Sequence, residues 1–349
     1  MRGRKADHIR ICAEEKISPD HRYWDDIKLI HEALPELDYD DIDTSTVFLG
    51  RKLELPFMVT AITGGFPGAT RINANLAEAC SRMGVGMGVG SQRAALEGID
   101  VESYTVILDY DVPLRVGNLG APQLIAQPGK DPFTMEDMEQ AIEMIDAHVL
   151  AIHLNYLQEL VQPEGDKRAL GCRDCIREAA RRLPVMIKET GAGISASTAN
   201  RLKGIGVRAI DVAGMGGTSF SAVEMYRAAD AQDSIRERIG KTFFDWGIPA
   251  PASVRMAQVG LPLVASGGIE DGLQAAKAIV LGADLAGMAG TLLKEAMESA
   301  DAVEARLQEM AEELKVAMML TGSKDLKQLS RVEPIITGPT RDWMPRDMS

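Results

Sequence analysis

Eight short apolar runs, each ending in glycine or a polar residue and followed by a stretch rich in Ala, Glu, Lys and Arg, punctuate this chain. They are Leu55–Gly64, Val85–Gly90, Leu114–Gly120, Val149–Asn155, Val185–Thr190, Ala209–Gly214, Pro262–Gly268 and Leu285–Gly290. Continuous rather than alternating hydrophobicity is what parallel strands show when helices cover them. Eight such units predict an α/β chain closed into a (β/α)8 TIM barrel, with an open doubly wound sheet as the runner-up. Helices are expected at Asn73–Met83 and Asp271–Leu281. Residues 1–51 read as a polar N-terminal extension, 52–300 as the barrel, and 301–349 as a helix with a short polar end. The long stretch Phe220–Ala252 after strand six reads as an insertion on the side where barrels keep their active sites.

At 349 residues, 46% of them hydrophobic, the chain is long enough for one barrel with additions. Its formal charge of −13 argues against nucleic acid as a partner. A phosphorylated ligand would have to meet a local basic cluster or a bound cation. No apolar run approaches the roughly 18 residues of a membrane span, and Met1–Arg10 is charged, so a cytoplasmic protein is expected. Cys172 and Cys175 form a CxxC with no second pair, which is read as two thiols at a helix start, with no metal assigned.

Strand ends carry the chemistry of a barrel, and here they are polar and glycine-rich. Ala61, Ile62 and Thr63 end the first; Ser91, Gln92 and Arg93 follow the second; Asn118 ends the third. His153 and Asn155, followed by Gln158 and Glu159, end the fourth, where Glu159 suits Mg2+, an ion that prefers oxygen ligands. Lys188, on strand five, is placed to stabilise an anionic cofactor atom. Thr218 follows strand six. Gly268, Ile269 and Glu270 after strand seven, with Ala289 and Gly290 after strand eight, lie where barrels commonly hold a phosphate.

As an ordered set, these strings resemble the type 2 isopentenyl-diphosphate isomerases nearly end to end. They run RKxxH (Arg4, Lys5, His8), AITGG, GSQR, HLNxxQExxQPEGD from His153, KETGAGIS from Lys188, GGTS, DWGIP, SGGI and LGADLAGMA. The resemblance implies an FMN-bearing barrel that moves the double bond of isopentenyl diphosphate to give dimethylallyl diphosphate. FMN would be held by Ala61, Ile62, Thr63, Ser91, Asn118, Lys188, Thr218, Gly268, Ile269, Glu270, Ala289 and Gly290. Substrate would lie on Arg4, Lys5, His8, Ser91, Gln92, Arg93, Asn155 and Gln158, with Mg2+ on Glu159. Gln158, Lys188 and His153 are the expected catalytic residues, and a homotetramer or homo-octamer is the implied assembly. Four places depart from the pattern: Ala213 stands in place of a common Ser, Glu270 in place of a common Arg, Gly290-Thr291 in place of a common Leu-Pro, and Tyr156 in place of a frequent Pro.

Direct removal of an unactivated allylic proton is out of reach of a side chain, so protonation of the alkene must come first. An electron-rich reduced flavin can stabilise the resulting cation, with NAD(P)H as activating reductant. A hydroxyacid-oxidase-type flavoenzyme needs a catalytic His late in the chain, and none follows His153. A dehydrogenase with a nucleophilic Cys after strand six has no candidate in Gly214–Ser221. A catalytically silent flavin-binding protein is the remaining alternative.

Overall fold

The computed structural model describes residues 2–345. Eight parallel strands close into a barrel in chain order: β1 Phe57–Val59, β2 Gly86–Gly88, β3 Arg115–Gly120, β4 Val149–Leu154, β5 Val185–Glu189, β6 Ala209–Asp211, β7 Leu263–Ser266 and β8 Leu285–Met288. Each lies inside one of the eight apolar runs, and the register of β8 against β1 (Ala286 to Phe57) completes the ring and excludes the open sheet. Both faces of the strands are covered, so β1 and β2 are buried at every residue and show no alternation.

Eight helices position the site. They are α1 (Arg2–Glu14), α2 (Pro67–Met83), α3 (Tyr156–Val161), α4 (Phe220–Asp230), α5 (Ser234–Thr242), α6 (Gly272–Val280), α7 (Leu293–Glu298) and α8 (Ala300–Met319). Helix α2 starts six residues before the expected Asn73, because Pro67, whose fixed φ suits a first turn, opens it. Asp271 caps α6 by accepting from Gln274 N, as the sequence pattern suggested. Cys172 opens another helix, Cys172–Arg182, its thiol directed at the Ala121 carbonyl (3.4 Å).

The two ends of the chain are less simple than expected. A hairpin, Thr46–Phe48 with Arg51–Leu53, crosses the boundary at 51 and sends Phe48 and Leu53 into an apolar cluster with Met58, Val116, Val149 and Leu285 inside the barrel. After α8 the tail does not end as a polar stub. Ile335–Ile336 pairs antiparallel with Ile27–Lys28, and buried Thr340 donates to Asp26 Oδ2 (2.6 Å). The last four residues of the expected tail, 346–349, lie outside the described residues.

Helix α1 and the insertion form one unit. Ile11 and Ile17 pack against Ala222 and Val223 of α4, flanked by Phe220, Tyr226 and Phe244. Burying Ile11 fully contributes about 2 kcal/mol to holding a short, charged helix on the barrel.

Candidate active site

A cavity of about 1110 Å³ opens at the C-terminal ends of the strands and is roofed by α1. Every sequence-predicted site residue lines it except Gln92. Gln92 is fully buried on the other side of its loop, where its amide donates to Ala141 O (2.8 Å) and accepts from Asn118 N (2.8 Å). It therefore braces the loop that presents Ser91 and Arg93, and the expected contact with substrate is corrected to a supporting one.

At one end of the cavity the backbone is the binding surface. The loops after β6 and β7 touch main chain to main chain. A Cβ on Gly268, at φ +76, would fall 2.4 Å from Gly216 O, and one on Gly217 would fall 2.7 Å from Gly268 N, so only glycine permits this approach. Trp24 of the N-terminal extension steadies the same loop by donating from Nε1 to Gly267 O (2.9 Å). Ala213, at φ 35, is held in an unusual conformation for a residue with a side chain, and its carbonyl accepts from Gly191 N (2.9 Å) and Gly193 N (3.2 Å).

Lys188 lies between the two ends and donates to Glu189 O (3.0 Å). Its register partner on β6 is Asp211, fully buried, with Oδ1 taken by Ser266 and Oδ2 without a partner among the described residues. Burial pushes the Asp211 carboxyl above its ordinary value, opposed by Lys188. His153 is held by Asn118: the Asn118 amide nitrogen donates to Val89 O (3.1 Å), so its oxygen faces His153 Nδ1 (2.8 Å) and fixes the proton there. Burial, then Lys188 and Lys5, lowers the imidazole to about 3. His153 is thus neutral, with Nε2 as a hydrogen-bond acceptor.

The other end is built from side chains. Lys5 donates to Ser91 O (3.1 Å) and to Tyr104 Oη (2.7 Å), and Tyr104 itself donates to Ser91 O (2.6 Å). Burial, with Arg4 and Arg93 nearby, depresses the Lys5 ammonium to about 7. Arg93 is held by Glu97 (3.1 Å) and Asp166 (3.3 Å). Glu159 accepts from Asn155 Nδ2 (3.0 Å) and from Asp166 N (2.6 Å).

Glu224 on α4 is the residue that the sequence reading missed. It is fully buried and gathers His8 Nε2 (2.9 Å), Gln158 Nε2 (3.2 Å) and Arg227, while Gln162, its amide oriented by its neighbours, donates to Glu224 (3.2 Å) and accepts from Arg4 Nη1 (3.1 Å). Burial pushes its carboxyl up, but these donors together hold it below the usual glutamate value. A signal existed: Glu224 falls on the helical stripe Phe220, Glu224, Ala228, at i, i+4 and i+8. An acid on such a stripe must find buried partners.

Comparison with known proteins agrees with this geometry. The FMN-dependent dehydrogenase family matches residues 172–333. The chain is 46% identical over 342 residues to the isopentenyl-diphosphate delta-isomerase of Thermoplasma volcanium, covering 98% of each chain. It is 46% identical over 347 residues to that of Methanosarcina mazei, covering 98% of this chain and 93% of the relative. Among solved structures, a mandelate oxidase variant carrying a monooxide FMN adduct superimposes with a TM-score of 0.60 at 18% identity, covering 89% of this chain and 88% of that one. A flavocytochrome b2 variant with sulfite bound superimposes at 0.64, also at 18% identity, covering 93% and 81%. These two likenesses speak to the fold alone. Identity along nearly the whole chain to its curated relatives speaks to the family: the chain belongs to the isopentenyl-diphosphate delta-isomerases, and its barrel places it with the FMN-dependent, type 2 members.

Proposed function

We propose that the protein isomerises isopentenyl diphosphate to dimethylallyl diphosphate, with reduced FMN over Lys188 and the substrate diphosphate under α1. One observation carries the reading. At the side-chain end of the cavity, Arg4 Nε and Asn155 Oδ1 are buried without a partner among the described residues. A buried cationic donor and a buried oxygen acceptor left open together are what a diphosphate and its Mg2+ would satisfy. Glu159 and Asn155 form an oxygen-only donor set suited to that ion, and Arg4, Lys5, His8, Ser91 and Arg93 surround the anion.

The residues present also fit FMN: a close-approach glycine cradle at Gly217 and Gly268, with Gly290 in the same lining, Asn118 and Thr218 on the walls, and a strand-borne cation at Lys188. Bound and reduced, FMN supplies an electron-rich ring and a nitrogen acid–base centre, kept reduced by catalytic amounts of NAD(P)H. The chain supplies the rest. Lys188 favours negative charge at the ring, because a fixed cation in a dry site needs no reorganisation. Glu224 fixes the Gln158 amide by accepting from its Nε2, so Gln158 positions the reacting carbons. Neutral His153 offers Nε2 as an acceptor and does not act as the acid. A tertiary cation is trapped by water, and α1 packed on α4 keeps water out. The test is anaerobic turnover of isopentenyl diphosphate with FMN, Mg2+ and substoichiometric reductant. Product is expected only after reduction, and equal rates from the oxidised enzyme would remove reduced flavin from the reaction.

A further inference from the structure

The phosphate end of the cavity poses a charge problem. Helix α6 points its N-terminus at the loop carrying Gly268, but two donors of its first turn are already occupied, Gly272 N by Glu313 (2.7 Å) and Gln274 N by Asp271 (2.7 Å), as is Glu270 N just before the helix, by the Gln274 side chain (2.7 Å). The helix end offers an anion correspondingly less. Three carboxylates, Glu270, Glu295 and Glu309, also line this end, and one Glu295 oxygen is buried without a partner among the described residues. Glu270 is drawn outward by Arg22 (3.2 Å). The cations of the lining here are Lys294 on α7 and Arg306 on α8, from segments beyond the strand ends.

Arg306 is the better placed. Its Nη2 donates to the carbonyl of Glu270 (2.5 Å), which anchors the guanidinium beside Gly268, while Nη1 is held by Glu309 (2.7 Å). We propose that Arg306, delivered from α8, is the residue that grips the flavin phosphate and confers preference for a phosphorylated flavin, with Glu309 as its competing partner. The proposal rests on the cofactor reading above. Nη2 keeps its bond to Glu270 O as an anchor, and Nη1 exchanges Glu309 for a phosphate oxygen. A guanidinium can serve both because its donors form a planar fork. Removing Glu309 therefore frees Arg306 and strengthens the site, whereas removing Arg306 weakens it.

The experiment titrates the apoprotein with FMN and, separately, with riboflavin, which has the same ring and no phosphate, following quenching of flavin fluorescence. Arg306→Met is expected to weaken FMN binding roughly tenfold or more, the scale of a lost charge-assisted hydrogen bond, and to leave riboflavin affinity unchanged. Glu309→Gln is expected to tighten FMN binding several-fold, again without effect on riboflavin, and to do so only while Arg306 is present. Riboflavin binding also reports that each variant is folded. If Arg306→Met binds FMN as the wild type does, or loses both flavins equally, the assignment of Arg306 is overturned while FMN binding stands. If the wild type binds FMN no tighter than riboflavin, the cofactor reading and this one fall together.

Discussion

The two ends of the cavity are made differently. The flavin end is main chain, strand-borne and rigid: glycine loops after β6 and β7 in backbone contact, steadied by Trp24. The end proposed for the diphosphate is side chain, assembled from α1, α3, α4 and the loop after β2, with buried charges bound to one another where that proposal seats the substrate. A preformed main-chain cradle changes little on binding its ligand, the exchange proposed for Arg306 at its rim apart. A cluster that now satisfies itself internally must exchange partners when an anion arrives, so the two ends should respond to different perturbations.

The largest test removes one end. Deleting residues 2–14 should lower kcat/KM on the order of 10³-fold, as expected for losing several buried charge contacts, yet leave FMN content unchanged. Loss of FMN in that variant would show that the two ends are one unit. Lys188→Met reverses the logic: turnover should fall about 10²-fold and the flavin midpoint potential should become more negative, with KM for the diphosphate nearly constant. An unmoved potential would take Lys188 away from the flavin. Glu159→Gln should raise the Mg2+ needed for half-maximal rate about tenfold with full FMN content. A variant that loses flavin but keeps its Mg2+ dependence would place Glu159 at the wrong end.

The smallest effect is in pH. Burial lowers Lys5 to about 7, so the free enzyme carries this charge below pH 7 and loses it above. KM should therefore rise about threefold between pH 6.5 and 7.5, and Lys5→Gln should remove that component of the profile. The sign for docking of α1 is the opposite. Between pH 7 and about 10.5 the undocked lysine binds a proton that the docked one does not, so docking strengthens as pH rises through that window. Below pH 7 the full penalty is present until an anion neutralises it. Hydrogen exchange in α1, compared at pH 6.5 and 9 without substrate, measures this directly, and faster exchange at pH 6.5 beyond the intrinsic rate change is expected.

Legibility followed the same division. The barrel was readable because a strand covered on both faces must be apolar throughout, and all eight runs contain their strand. Which face a residue takes at a strand end was not: Gln92, between two cavity-lining neighbours, turns into the protein, because loop geometry has no period to read. Arg4, Lys5 and His8 have the composition of a solvated tail, and what holds them is Ile11 against α4, a contact spanning more than 200 positions. The same separation hid Glu224. The C-terminal helix is legible, whereas the pairing of Ile335–Ile336 with Ile27–Lys28 beyond it is two residues long, too short for any pattern.

That small pairing fixes the length of a leash. Asp26, held by Thr340, and Trp24, held by Gly267 and by Lys277 Nζ on its carbonyl (2.9 Å), anchor the chain just before it, so once Ile17, whose carbonyl accepts from Ser219 N (2.7 Å), also leaves α4, α1 hangs from the eight residues 15–22. Fully stretched, eight residues reach about 28 Å. A helix released from the barrel mouth stays within that radius, at a local concentration on the order of millimolar, and returns as an intramolecular partner. Under the proposed function, such a release would let product leave and substrate enter without the enzyme losing hold of its own cations.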